Sequence, residues 1–404
     1  SGSGVNYGWM KDGVNLTDSP TRFGTDSDTL WLDNVQATDA GSYRVRVWDE
    51  NGVTNSVVVT LRVVTHVAFV DPRLEQAVRE RLEIPSGPIP LTAIADMYWL
   101  EAVNRGITNL SGLEAALNLD WLALGWNPDI TDYSPLSWLP HLGQLHLTAC
   151  NLTNLDFLAT LAPLRVLSLD ENPLEDISVL GMHSPQLVFL NLSHDRGITD
   201  FGVLHSLTNL DELLLGNCAV SDISFAAGMP RLARLELWES DVADISPVAG
   251  LTNLYLLNLH NTAVTDLTPL TGRTNLTWLA IGWTGVTNFT PVTTLTGLTA
   301  LHVGNLGLSN LAFLAPLTNL VEFLANENHL TGLPPYPHLF QLRYLELSGN
   351  PLAGVAFVSG MTNLWDLHIN YTGIGDLSPL TGRTNLRNLG LAGVLITVKP
   401  PAWQ

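Results

Sequence analysis

Seven aspartates recur at one phase along the chain: Asp132, Asp176, Asp200, Asp222, Asp244, Asp266 and Asp376. Stacked on one flank, such a row of carboxylates could hold cations. Their neighbours suggest another task. Most precede a Ser/Thr-Pro-Leu or a variant of it, as in Asp266-Leu267-Thr268-Pro269-Leu270. A carboxylate placed just before a tight turn accepts that turn's free backbone N–H groups, so each is expected to be a cap. Cys150 and Cys218 are the only cysteines, which excludes a disulfide framework and a CxxC metal pair. Five histidines (His146, His194, His260, His302 and His368) are spread over too much chain to converge on a metal. HExxH, GxSxG, Walker and GxGxxG patterns are all missing. No catalytic residue, metal or cofactor is expected, and the chain reads as non-enzymatic.

Composition narrows the partners. The 404 residues carry 18 Lys+Arg against 38 Asp+Glu, a formal charge of −20. A surface that tracks nucleic-acid phosphates needs clustered Lys and Arg, and so does an electrostatic grip on anionic lipid. No apolar run approaches the roughly 20 residues of a membrane span. Hydrophobic residues make up 46 %, enough for a large core.

The elements that must position these residues come from a repeat. Its frame is Leu-x-x-Leu-x-Leu-x-x-(Asn/Cys/Thr)-x-(Ile/Val/Leu). Copies open at Met97, Leu119, Leu142, Leu164, Leu187, Leu210, Leu232, Leu254, Leu276, Leu298, Leu320, Leu342, Leu364 and Leu386, 22 or 23 residues apart. Pro269–Leu276 and Pro379–Leu386 are identical, a mark of block duplication. Each copy predicts one short strand with inward Leu at positions 4 and 6, then a turn and a 3₁₀-like return. One coil cannot bury its own apolar face; stacked coils bury it together. Position 9 is expected to turn inward and bond the backbone of the adjacent coil. It holds Asn127, Asn172, Asn328 and Asn350, with Cys150, Cys218, Ser240, Thr262, Thr284 and Thr372 as smaller substitutes. The two cysteines lie three rungs apart, about 14 Å at the parallel-strand spacing, too far for a disulfide. The sequon Asn275-Leu276-Thr277 falls inside the repeat grammar.

These residues resemble the leucine-rich repeat family, in its 22-residue internalin-like class. The resemblance implies an α/β solenoid with a curved parallel sheet, a 3₁₀ or irregular convex side and a helical N-terminal cap, over residues 97–404. The preceding segment, 65–96, fits the cap: Phe69–Leu82 reads as an amphipathic helix with Asp71 as N-cap, Pro72 at the first helical position and Leu74, Val78 and Leu82 as its buried stripe. Residues 1–64 differ. Asp39-Ala40-Gly41-Ser42-Tyr43 resembles the tyrosine corner of immunoglobulin-like domains, and Trp9–Gly13 their strand C. Val45 stands where a second cysteine would, so the segment reads as a partial, disulfide-free all-β sandwich with an open strand edge. The end at Trp403-Gln404 is expected to lack a solenoid cap, and both ends suggest an excerpt of a larger protein.

Frame positions 3, 5 and 7, flanked by 2 and 8, project from the strands onto the concave face. The repeat does not dictate them. Seven of the twelve tryptophans fall there. Trp99, Trp121 and Trp126, with Tyr98, form one expected cluster. Trp238, Tyr255, Trp278 and Trp283 form another, with Glu236, Glu239, Asn258 and His260 between them; Tyr344, Trp365 and Tyr371 follow. Gly125, Gly216, Gly282 and Gly304 lie beside the aromatics and are expected to open space. Rows of Trp and Tyr suit recognition, because they add large contact area at low entropy cost. Packing of rings across adjacent strands is the alternative. The resemblance implies a bacterial surface or secreted protein that binds a protein partner through this face. Glycan binding by the same rings, and a structural role with self-association through the N-terminal strand edge, are the competing readings.

Overall fold

A computed structural model describes residues 4–399; the terminal Trp403-Gln404 lies outside them. Fourteen three-residue strands form one parallel sheet in strict sequence order, from Trp99–Glu101 through Trp121–Ala123 to Asp366–His368 and Asn388–Gly390. Every strand occupies frame positions 3 to 5, and each pairs in frame with the next, as in Trp99↔Trp121 and Tyr344↔Asp366. The expected rungs and the solenoid are both present. Leucines at positions 1, 4 and 6, such as Leu142, Leu145 and Leu147, are buried in one continuous core. Each contributes about 2 kcal/mol by leaving water.

The strands stay short because the backbone leaves the extended region at position 8. In every rung that residue is left-handed, from Asn104 (φ 54°) and Trp126 (61°) to Tyr371 (53°) and Gly393 (69°). Its N–H still continues the ladder, as from Trp126 to the Thr148 carbonyl at 2.8 Å. Position 9 then turns in. Asn127 Oδ1 accepts the N–H groups of Arg105 and Ile107 in the rung before, and Nδ2 donates to Ala102 and Leu124 carbonyls. Cys150 and Cys218 donate back to Leu124 and Leu192. The smaller hydroxyls do not reach that far. Ser240, Thr262, Thr284 and Thr372 donate only to the carbonyl three residues earlier in their own coil. The expectation of a bond to the adjacent coil therefore holds for Asn and Cys and fails for Ser and Thr.

The return segments are 3₁₀ turns. All seven aspartates cap them: each Oδ1 accepts the backbone N–H two residues on, at 2.7 to 2.8 Å. Bonds from Ser134, Ser178, Thr268 and Ser378 hold Asp132, Asp176, Asp266 and Asp376 below their ordinary pKa. Asn275 is likewise committed, its Nδ2 donating to Thr252 one rung back at 2.9 Å. Asn209, Asn253, Asn319 and Asn385 repeat that bond and form a second asparagine ladder.

Before the solenoid, a helix spans Pro72–Leu82, with Asp71 accepting from the Arg73 N–H and Pro72 opening the first turn. Leu74 and Val78 are buried in the solenoid core, and Leu82 packs at its margin. The N-terminal part is a small antiparallel sheet centred on Gly41–Asp49, which pairs with Asn6–Lys11 on one side and with Gly52–Asn55 and Val59–Leu61 on the other. The Tyr43 hydroxyl donates to the Asp39 carbonyl at 2.7 Å, the contact a tyrosine corner makes. Trp9 lies opposite Val45 in register.

Candidate functional site

Parallel pairing places frame positions 3 and 5 of successive rungs side by side, and the aromatic residues follow. Trp99 and Trp121 meet edge-on at 6.4 Å, and Arg81 of the cap helix lies 4.1 Å over the Trp99 ring. The Tyr98 hydroxyl turns away from them to Asp120, a buried carboxylate also held by Gln144 and Arg165.

The middle cluster is built differently from the expectation. No two of Trp238, Tyr255, Trp278 and Trp283 stack on each other; the three indoles each take an imidazole instead. Trp238 meets His194 at 5.0 Å, Trp283 meets His260 at 4.9 Å and Trp278 meets His302 at 4.6 Å. Trp121 with His146 and Tyr344 with His368 repeat the theme. The five scattered histidines are thus the partners of the aromatic row. Three of the pairs follow one rule: an aromatic at position 3 and a histidine at position 5 of the next rung, 24 or 25 residues on. Burial lowers the pKa of His146 and His260, which favours the uncharged ring against the indoles. His302 passes the chain on to Glu322 at 2.5 Å.

The glycines do not leave the face open. A Cβ at Gly216 would lie 2.1 Å from the Trp238 indole, and one at Gly304 would lie 2.7 Å from Trp283. Gly282 and Gly125 face neighbouring backbone at 3.0 and 3.2 Å. The space is filled by indoles and by adjacent strands. Glu236 is also engaged: Arg234 Nε donates to it at 2.8 Å and Trp238 Nε1 at 3.2 Å, while Arg234 reaches Glu212 as well.

Six aromatics remain exposed on the face: Tyr98 (58 %), Trp99 (43 %), Trp126 (51 %), Tyr255 (39 %), Trp365 (47 %) and Tyr371 (73 %). Trp121, Trp238, Trp278, Trp283 and Tyr344 are half-buried. Trp126, Trp283 and Tyr371 share a feature that sequence reasoning missed. All three occupy the left-handed position 8, where Asn or Gly would sit with least strain. Six rungs follow that preference, with Asn104, Asn217, Asn261, Asn305, Gly349 and Gly393, and this was the signal available in the sequence.

Among the described residues no group of three or more His, Cys, Asp or Glu is placed to hold a metal ion, and no helix is long and apolar enough to cross a membrane.

Comparison with solved structures follows this geometry. An internalin, InlF, from Listeria monocytogenes is 29 % identical over 80 % of this chain and 95 % of its own, with a TM-score of 0.67. The functional domain of InlJ from the same organism, described as including a cysteine ladder, is 25 % identical over 81 % and 70 % of the two chains, with a TM-score of 0.59. A leucine-rich repeat protein of Leptospira interrogans shares the fold at 24 % identity and a TM-score of 0.59, over 75 % and 86 %. No protein-family model matches the sequence, and no curated protein matches it. The chain has a leucine-rich repeat solenoid fold like that of these internalins.

Proposed function

We propose that the strand face recognises a protein partner, and that the chain is a non-enzymatic recognition or adhesion module of the bacterial surface or the extracellular space. The observation that carries this reading is the set of six exposed aromatics on one side of a continuous sheet. Large rings left in water at fixed spacing suit a partner's apolar surface. Tyr371 and Trp126 add weight, because a bulky residue in the left-handed region costs about 1–2 kcal/mol relative to its extended form. Glycan binding by the same rings is supported less well. Sugars need free polar side chains beside the stacking rings; in the middle cluster Glu236 is already held by Arg234 and Trp238, and the acids beside Tyr371 suit a cation better than a neutral sugar. Self-association through the N-terminal sheet is a separate reading, motivated by the exposure of Val57, Val58 and Val59 beside its outer strand.

The test is binding of labelled chain to a panel of intact cells, before and after treatment with protease or glycosidase. Protease-sensitive binding that is lost in Trp126→Ser/Tyr371→Ser/Trp365→Ser supports the reading. Binding that survives protease but not glycosidase overturns it in favour of glycan. Light scattering over a wide concentration range decides self-association.

A further inference from the structure

The C-terminal third of the strand face holds a cavity of about 520 Å³ lined by Leu324, Glu327, Tyr344, Glu346, Asn370 and Tyr371 among others. We propose that this cavity receives an arginine side chain of the protein partner, its guanidinium stacked on Tyr371 and held by Glu346 and Glu327. The proposal rests on the reading of the strand face as protein-binding and names the chemistry of that partner.

Charge and shape both point to a cation. Positions 3, 5, 7 and 8 of the last four rungs carry four acids (Glu322, Glu327, Glu346 and Asp366) and no Lys or Arg. Among the described residues, the only basic groups within ion-pair distance of those acids are His302 and His368. The field is felt at Tyr344, whose hydroxyl is pushed above its ordinary pKa by burial and then by Glu346, Asp366 and Glu322. In the middle of the same sheet Glu212 and Glu236 are matched by Arg234, and Glu101, Glu171 and Glu239 are scattered over distant rungs. Here Arg343 and Arg387 stand one column aside, at position 2, with Arg387 over the Trp365 ring. The Glu327 carboxylate has no hydrogen-bond partner among the described residues, while Glu346 uses one oxygen to accept the Ser348 N–H at 2.8 Å. The other Glu346 oxygen lies 3.9 Å from His368 Nδ1, and both Glu327 and Glu346 line the cavity.

The aromatic wall completes the site. Tyr371 stands in the left-handed region at φ 53° and lies against Gly393, where a Cβ would meet its ring at 2.4 Å. Its ring is thus propped upright while most of it stays in water. A planar guanidinium suits this arrangement better than an ammonium, because it stacks on a ring and meets carboxylates edge-on at once.

The experiment titrates the whole chain with hexa-arginine peptide, against the uncharged hexa-citrulline peptide of the same shape. Glu327→Gln/Glu346→Gln and Tyr371→Ala are each expected to weaken hexa-arginine binding about tenfold or more. Asp129→Asn/Glu175→Gln removes the same charge elsewhere and is expected to weaken it far less. Glu327→Gln alone, which breaks no internal bond, guards against a folding defect. Equal weakening by the two acid pairs, no effect of Tyr371→Ala, equal binding of hexa-citrulline, or no binding of hexa-arginine each overturns the proposal. Cell binding of the Glu327→Gln/Glu346→Gln variant reports separately on the wider face: if it persists while hexa-arginine binding is unchanged, this site is wrong and the recognition reading stands.

Discussion

The Trp238 indole occupies the volume that Gly216 lacks, and beyond it meets the His194 ring two rungs away. A glycine, an indole and an imidazole on three successive rungs thus form one interlocked unit.

Gly216→Ala should therefore displace Trp238. The built Cβ is 2.1 Å from the ring, so the indole must leave its present seat against His194. A loss of about 1–3 kcal/mol is expected from overpacking, read in chemical denaturation. Gly228→Ala, where nothing lies within 4 Å, should be near neutral. If the two behave alike, the interlock is wrong.

The aromatics at position 8 should trade stability against binding. Trp126→Asn and Tyr371→Asn replace strained residues by one that tolerates the left-handed region. Melting temperature is expected to hold or rise, by up to about 1 kcal/mol equivalent, while cell binding falls. A clear drop in melting temperature would mean that these rings serve packing.

The two kinds of position 9 should differ in what they carry. Asn328 makes five backbone hydrogen bonds spanning two rungs, whereas Thr262 makes one within its own. Asn328→Ala should cost about 3 kcal/mol or more, because it strands buried amides and carbonyls. Thr262→Ala should cost about 1 kcal/mol. Paired urea melts decide it.

Asp195 should make stability fall with rising pH. It is fully buried at position 9, its Oδ1 accepts the Asn172 N–H, and its Oδ2 has no partner. Ladder asparagines direct Nδ2 at position-6 carbonyls, and the matching ones here are Leu192 and Leu169. A protonated acid can donate to a carbonyl as the amide does; a carboxylate cannot. Burial pushes its pKa up to about 8 from 3.8. The folded state then holds a proton that the unfolded state releases, so the stabilising contribution is full below pH 4 and declines until about pH 8. Asp195→Asn should raise the melting temperature more at pH 8 than at pH 5. An equal gain at both would show that the carboxyl is ionised throughout.

The rungs were legible because leucine at positions 1, 4 and 6 leaves one buried arrangement for each coil, and all fourteen strands fall on the expected frame. The cap helix was legible from Asp71 and Pro72 for a local reason: both act within one turn. The histidine partnerships were not, because Trp278 and His302 meet diagonally across two strands and neither residue type signals the other. Asp195 was passed over at position 9 because its role depends on a proton that no sequence displays. The left-handed column was hidden where Trp126, His194, Glu239 and Tyr371 interrupt its Asn and Gly. How the candidate recognition residues divide between packed and bare depends on neighbours one or two rungs away, such as Gly216 beneath Trp238.

The column at position 8 has a further consequence. From Asn104 to Tyr371 its amide hydrogen bond to the next rung is made whatever side chain the residue bears, so an exchange there costs local backbone strain and leaves the ladder itself intact. Thirteen sites along one margin of the sheet can therefore be rewritten singly by mutation, each exchange altering what the margin displays while the coils beneath stay stacked. Divergence in partner preference between related solenoids should then accumulate along this line sooner than in the leucine columns beside it.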